Sequence, residues 1–199
     1  FATILSVGRI YHFIQNRPVH LALRDVYYER AVELLLSKQD GCVKAVCMSA
    51  YEEILFMLRT ARKHAQFAIR GGGENELDHL FCEFMKVLSG NVKAVLSMLS
   101  LKETVEHAEG FFLSSGEANR ASVALQAEEY VRRARDVLHS ARNTLDLAHG
   151  AYEELKASNE GQFNDDERER YERACRHHRE RIKQRPEWST YTKPTGGFG

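Results

Sequence analysis

The sequence predicts an all-α protein: an elongated antiparallel helical bundle, or coiled-coil-like helical hairpin, with a charged C-terminal helix and an extended tail. Three observations point there. Apolar residues recur at alternating steps of three and four over long stretches, which places them on one face of a helix. Proline occurs only three times in 199 residues, and an internal proline removes a backbone donor and clashes with the preceding turn. Glycine clusters, which lose too much backbone freedom to hold helix, fall between those stretches.

The elements follow in order. Ile4, Leu5, Ile10, Tyr11, Phe13 and Ile14 predict a short helix from Phe1 to Asn16, ended by Arg17-Pro18. Proline suits a first helical turn, so Pro18 should open the next helix, carried by Leu23, Val26, Tyr27, Ala31, Leu34 and Leu35 to a stop near Asp40-Gly41. From Cys42 to Arg70, Val43, Cys47, Ala50, Ile54, Met57, Ala61 and Ala68 mark one helix, interrupted in pattern only at His64 and ended by Gly71-Gly72-Gly73. Leu77, Leu80, Phe81, Phe84, Leu88, Val95, Met98, Leu101 and Val105 extend a stripe to about Leu113, with Gly90-Asn91 as a point of kinking or division. Ser114 and Glu117 have the spacing of a capping box at the next start.

The strongest periodicity runs from Ala124 through Ala127, Val131, Ala134, Leu138, Ala141, Leu145, Ala148 and Tyr152 to Leu155. It reads as a seam whose alanines, recurring every seven residues, let a partner helix approach closely. The expected partner is the segment Leu77 to Phe112 of the same chain. Asn159-Glu160-Gly161 ends the seam, and Asn164 with Glu167 gives a second capping box. The helix after it has few apolar residues (Tyr171, Ala174, Cys175, Ile182) and is supported by i,i+4 pairs of Asp166 with Arg170, Glu169 with Arg173, and Glu172 with Arg176. It is expected to project into solvent or lie on a partner. Residues 186–199 suit no regular structure. The domain reading is therefore a bundle over 1–163 containing a long hairpin of about 74–158, a projecting helix over 164–185, and an aromatic, glycine-rich tail over 186–199.

Formal net charge is zero, 28 basic against 28 acidic residues, so no global field steers the chain toward nucleic acid or anionic lipid. No transmembrane segment is expected, because Glu52 and Glu53 interrupt one apolar candidate and Lys93 and Lys102 flank another. Cys42, Cys47, Cys82 and Cys175 form no C-x-x-C pair or zinc spacing and read as reduced thiols. The start at Phe1 is compatible with removal of a targeting peptide and with an unseen start.

Candidate chemistry is thin. Glu76 with His79, Asp136 with His139, and Asp146 with His149 have a spacing used in di-metal bundles, but the last two histidines sit at the margin of the seam. Charge-assisted surface pairs explain them, and no metal ligand or cofactor is assigned. Cys175 with His177 and His178 is read as an exposed or partner-facing thiol rather than a nucleophile. Arg70 to Gly73 lacks the Gly-Lys-Ser/Thr and the preceding strand of a phosphate loop. Tyr27, Tyr28, Phe81, Phe84, Phe111 and Phe112 belong to the core.

No catalytic residue is nominated, and the chain is expected not to be an enzyme. The expected function is that of a structural accessory or scaffold subunit in a larger multiprotein assembly, in a mitochondrial respiratory or ATP synthase complex. The partner-binding residues are Arg168, Arg170, Arg173, Arg176, Arg179 and Arg181 on the charged helix and Trp188, Tyr191 and Phe198 in the tail. From Arg168 to Arg185 eight basic residues stand against three acidic ones, so the alternative is an RNA-contacting accessory subunit of an organellar ribonucleoprotein.

Overall fold

The computed structural model describes the backbone over 2–37, 48–71, 76–111 and 117–184, and side chains over 14–36, 48–71, 76–107 and 121–184. Five helices fill these residues: α1 (Ala2–Ser37), α2 (Met48–Arg70), α3 (Glu76–Phe111), α4 (Glu117–Glu160) and α5 (Asp165–Lys183). Residues 42–47 of the helix expected over Cys42 to Arg70, the Ser114 cap and the tail with Trp188, Tyr191 and Phe198 lie outside the described residues.

Long-range contacts fix the directions. His20 meets His64, Tyr27 meets Phe56 and Arg30 meets Glu53, so α1 and α2 are antiparallel. Arg17 meets Asn159 and Tyr28 meets Tyr152, so α4 also opposes α1. Gln15, Asp25 and Glu29 meet Arg170, Tyr171 and Arg179 in that order, so α5 runs parallel to α1. The result is an up-down four-helix bundle with α5 laid along the outside of α1.

Helix α1 is one helix, not two. Pro18 lies inside it and is buried, although an interior proline costs about 3 kcal/mol. Neighbours hold the chain helical across the break. Arg17 on one side donates to Asn159 of α4 at 2.8 Å. The Gln15 carbonyl, three residues before the proline, accepts from the Arg170 guanidinium at 2.5 Å. Sequence rules place a helix boundary at Pro18 because they see only the lost backbone bond, not the acceptor that α4 brings and the donor that α5 brings.

From Leu21 to Tyr28 every residue of α1 is buried, because α2, α3 and α4 pack on one side and α5 on the other. The centre is a trio of rings from three helices: Tyr28 lies 5.3 Å from Phe81 and 4.5 Å from Tyr152, centroid to centroid. Tyr27, Tyr28 and Phe81 are thus core residues as expected, while Phe84 is only half-buried.

The α3/α4 pair is the most extensive in the fold. Ala134 and Ala148 are fully buried and Ala127 and Ala141 nearly so; the last three heptads share the main core with Met85, Leu88, Val92, Val95 and Leu99 of α3. The expected intramolecular hairpin is therefore present. Ala141→Leu should overpack this contact and lower stability by about 1–3 kcal/mol, read as a reduced urea midpoint.

At 44 residues, α4 is about 66 Å long, and α2 is too short to accompany it. Burial falls toward the free end of the hairpin, where Leu125 is 67% exposed. Helix α3 runs unbroken through Gly90-Asn91. A Cβ at Gly90 would meet nothing within 4 Å, so Gly90→Ala should raise stability by about 0.5–1 kcal/mol through reduced backbone freedom in the unfolded chain. Thermal and urea unfolding both read that gain.

Candidate functional site

The charged helix does not project. Tyr171, Ala174, Cys175 and Ile182 form a narrow stripe that packs on Val19, Ala22 and Val26 of α1, and small residues on both sides let the two helices meet closely. The stripe was legible as an i, i+3, i+4, i+11 pattern, but four apolar residues among so many charges hid it. The expected cap is present: the Asn164 side chain accepts from the Glu167 amide at 2.9 Å, and the Glu167 carboxylate accepts from the Asn164 amide at 3.1 Å.

Docking consumes much of the basic character of α5. Arg179 donates to Glu29 at 2.9 Å, and Arg170 divides itself between the Gln15 carbonyl and Asp166. Arg173 pairs with Glu169, and Arg176 lies 3.7 Å from Glu172. Those are the three i,i+4 pairs the sequence predicted. Arg168 and Arg181 are exposed and have no carboxylate partner among the described residues.

The face of α1 beneath α5 carries the fold's densest polar network. Arg24 is fully buried, its Nε 2.7 Å from Asp25 and its Nη1 3.8 Å from Asp78 of α3, with the guanidinium carbon 5.7 Å from the Phe81 ring centre. Burial opposes the charge on Arg24, but Asp25 and Asp78 outweigh it and hold the guanidinium more firmly protonated than usual. The other Asp25 oxygen accepts from the Tyr171 hydroxyl at 2.7 Å. One turn on, Glu29 accepts from Tyr152 at 2.9 Å, Lys156 at 3.0 Å and Arg179 at 2.9 Å. Partial burial would raise the Glu29 pKa, yet these three donors leave it below the ordinary carboxylate range. Burial, with Asp25 and Glu29 nearby, pushes the Tyr152 phenol upward, so it stays a hydrogen-bond donor. The network ties α1, α3, α4 and α5 together through charge pairs and hydrogen bonds that turn inward, with both Arg24 Nη atoms buried without a hydrogen-bond partner and Nη1 in ion-pair but not hydrogen-bond range of Asp78.

A second cluster joins α1 and α2. His20 and His64 approach Nδ1 to Nδ1 at 3.1 Å and stack at 5.3 Å, a contact that admits one hydrogen between the two nitrogens. Burial, followed by repulsion from His20, Lys63 and His178, lowers the His64 pKa from 6.5 to about 4. The unfolded chain therefore takes up this proton first on acidification. The His64 contribution to stability should be full above pH 6.5 and be lost as pH drops from 6.5 toward 4, by about 1–2 kcal/mol once solvent screening of a part-exposed ring is allowed for. His64→Gln should flatten that slope in urea titrations between these pH values.

The other sequence candidates do not assemble into a reactive site. Cys175 is buried, not exposed, and burial pushes its thiol up to about 11, as it does for Cys82. His139 and His149 are exposed, and Asp136 is 3.3 Å from Arg132. Among the described residues no group of three His, Cys, Asp or Glu is placed to hold a metal ion.

What sequence reasoning missed on α3 is that its single stripe is two. Phe81, Met85, Leu88, Val92, Val95 and Leu99 are buried. One position earlier, Leu80, Phe84, Val87, Asn91, Ala94, Met98 and Leu101 repeat the same four-three spacing, with Leu80, Val87 and Leu101 exposed by 44%, 47% and 47%. This doubled apolarity makes Glu76–His107 long and apolar enough to span a membrane by length and composition, at mean hydropathy 1.2, where the sequence predicted no such segment. Lys86 and Lys93 stand exposed in its middle, and each would cost roughly 2.5–3.5 kcal/mol at a bilayer centre. The bundle accounts for the inner stripe and leaves the outer one half-covered. Compared with known protein families, with curated proteins and with solved structures, the chain matches none.

Proposed function

We propose that this chain is a non-catalytic accessory subunit that offers the outer stripe of α3 to an amphipathic helix of another subunit. The observation that carries the reading is the heptad-spaced line Leu80, Val87, Ala94 and Leu101, half-open along the bundle. Aliphatic side chains repeated every seven residues complement a helix better than a flat or irregular partner, and contiguous exposed apolar surface marks interaction sites. The inward-turned polar network supports a binding rather than a catalytic role. Placement in a mitochondrial respiratory or ATP synthase complex rests on the sequence expectation alone.

The triple substitution Leu80→Ser, Val87→Ser and Leu101→Ser tests this in the native cells of the protein. It should leave the purified chain folded, by circular dichroism and thermal midpoint, and remove it from its high-mass complex on native electrophoresis. Retention in that complex would refute the reading. The RNA-contacting alternative loses support from the pairing of Arg170, Arg173, Arg176 and Arg179 within the chain.

A further inference from the structure

We propose that the cleft between α2 and α3 binds a small ligand carrying several linked phosphate groups, free or displayed on a lipid. The cleft encloses about 410 Å3 and is lined by Arg59, Arg62 and Lys63 of α2 and by Lys86 and Lys93 of α3, a size within the range of small-ligand sites. No carboxylate lines it. Lys86 pairs with Glu83 at 3.0 Å, both 60% exposed; Arg59, Arg62, Lys63 and Lys93 have no carboxylate within 4.0 Å among the described residues. In a chain of zero net charge this concentration of one sign is local and unbalanced. Like charges three and four residues apart on a helix destabilise it, so the arrangement works against the fold until an anion enters.

Two further features shape the site. The Arg62 Nε is buried without a hydrogen-bond partner, a donor left open at the wall of the cleft. Gly90 lies on the α3 side with no atom within 4 Å of where a Cβ would stand, which keeps the floor open to a ligand. Lys86 and Lys93 are seven residues apart, about 10 Å along the helix, so the cations can be engaged together by a chain of phosphates and not by one. A second cleft of about 260 Å3, sharing Arg62 and Gln66 and bordered by Glu83, continues toward Arg70. Arginine forks and lysine point charges both suit phosphate oxygens.

Calorimetry on the purified full chain, with sodium tripolyphosphate, pyrophosphate and orthophosphate at one ionic strength, tests the proposal. Affinity should rise with phosphate number, tripolyphosphate binding at least tenfold tighter than orthophosphate. Arg59→Glu with Lys93→Glu should weaken tripolyphosphate at least tenfold. So should Gly90→Leu, which fills the open floor without changing charge, while circular dichroism and thermal midpoint stay those of a folded bundle. Arg173→Glu with Arg176→Glu on α5 should leave binding unchanged. Equal affinities for the three anions, unaltered affinity in Gly90→Leu, or an equal loss in the α5 variant would overturn the assignment. Flotation with phosphatidylcholine vesicles containing phosphatidylinositol bisphosphate separates the two sources. Flotation competed by tripolyphosphate and lost in Arg59→Glu/Lys93→Glu assigns a lipid headgroup; tripolyphosphate binding without flotation assigns a free ligand; absence of both refutes the site.

Discussion

Replacing Arg24 with Met should destabilise the bundle by about 3–5 kcal/mol, since removing one partner of a buried ion pair leaves uncompensated charge behind. Arg24 is fully buried between Asp25 and Asp78, themselves 1% and 3% exposed, so neither carboxylate can reach water to relax. Met matches much of the volume of the arginine stem, which separates the charge effect from cavity formation. A second variant isolates it further. With Asp25→Asn and Asp78→Asn added, the Arg24→Met loss should shrink, because the buried charges go together and Asn can still accept from Tyr171. Urea unfolding of the single and combined variants measures both quantities. An Arg24→Met midpoint equal to that of the parent would show that the triad does not contribute to stability as described.

Phe81→Ala should cost about 3–5 kcal/mol. Phe81 has no exposed surface and stands between rings of α1 and α4, with centroids 5.3 Å from Tyr28 and 6.2 Å from Tyr152. Its face also lies 5.7 Å from the Arg24 guanidinium carbon. These neighbours come from α1 and α4, already pinned to each other through Glu29 with Tyr152 and Lys156, so they cannot collapse into the space left by the ring. Phe81→Leu retains most of the volume and should lose less. Calorimetric unfolding of the two variants gives the comparison, and a Phe81→Ala loss no larger than that of Phe81→Leu would mean that the site relaxes.

Much of this fold was legible because burial imposes a period. The alanines from Ala127 to Ala148 recur every seven residues, and α4 meets α3 along that line. The Asn164 and Glu167 cap and the three ion pairs of α5 are local, and they too were readable. The errors arose where a distant group decides a local outcome. Pro18 breaks a helix by its own chemistry, yet α1 continues because Arg17 and the Gln15 carbonyl find partners 142 and 155 residues away. For the same reason α5 looked fit to project, its anchors on Asp25 and Glu29 being invisible from its own sequence. Arg24-Asp25 was the signal overlooked: a charged pair inside the apolar run Leu21 to Tyr28 demands a buried partner, and Tyr171 and Asp78 supply it. The α3 stripes were merged because adjacent heptad lines look like one broad face when only apolar identity is read.

A partner helix on the outer stripe of α3 would shield Val87 in the working assembly, and the reactivity of a cysteine at that position reads the shielding. Val87→Cys is introduced with Cys42→Ser and Cys47→Ser, while Cys82 and Cys175 are buried, with thiols pushed up to about 11 that react slowly. Maleimide labelling is then timed on the isolated chain and on the native complex. We predict rapid labelling of the isolated chain and at least tenfold slower labelling in the complex, with exposed Ser140→Cys on α4 labelled alike in both. Equal rates at position 87 in the two states would show that no partner covers the outer stripe.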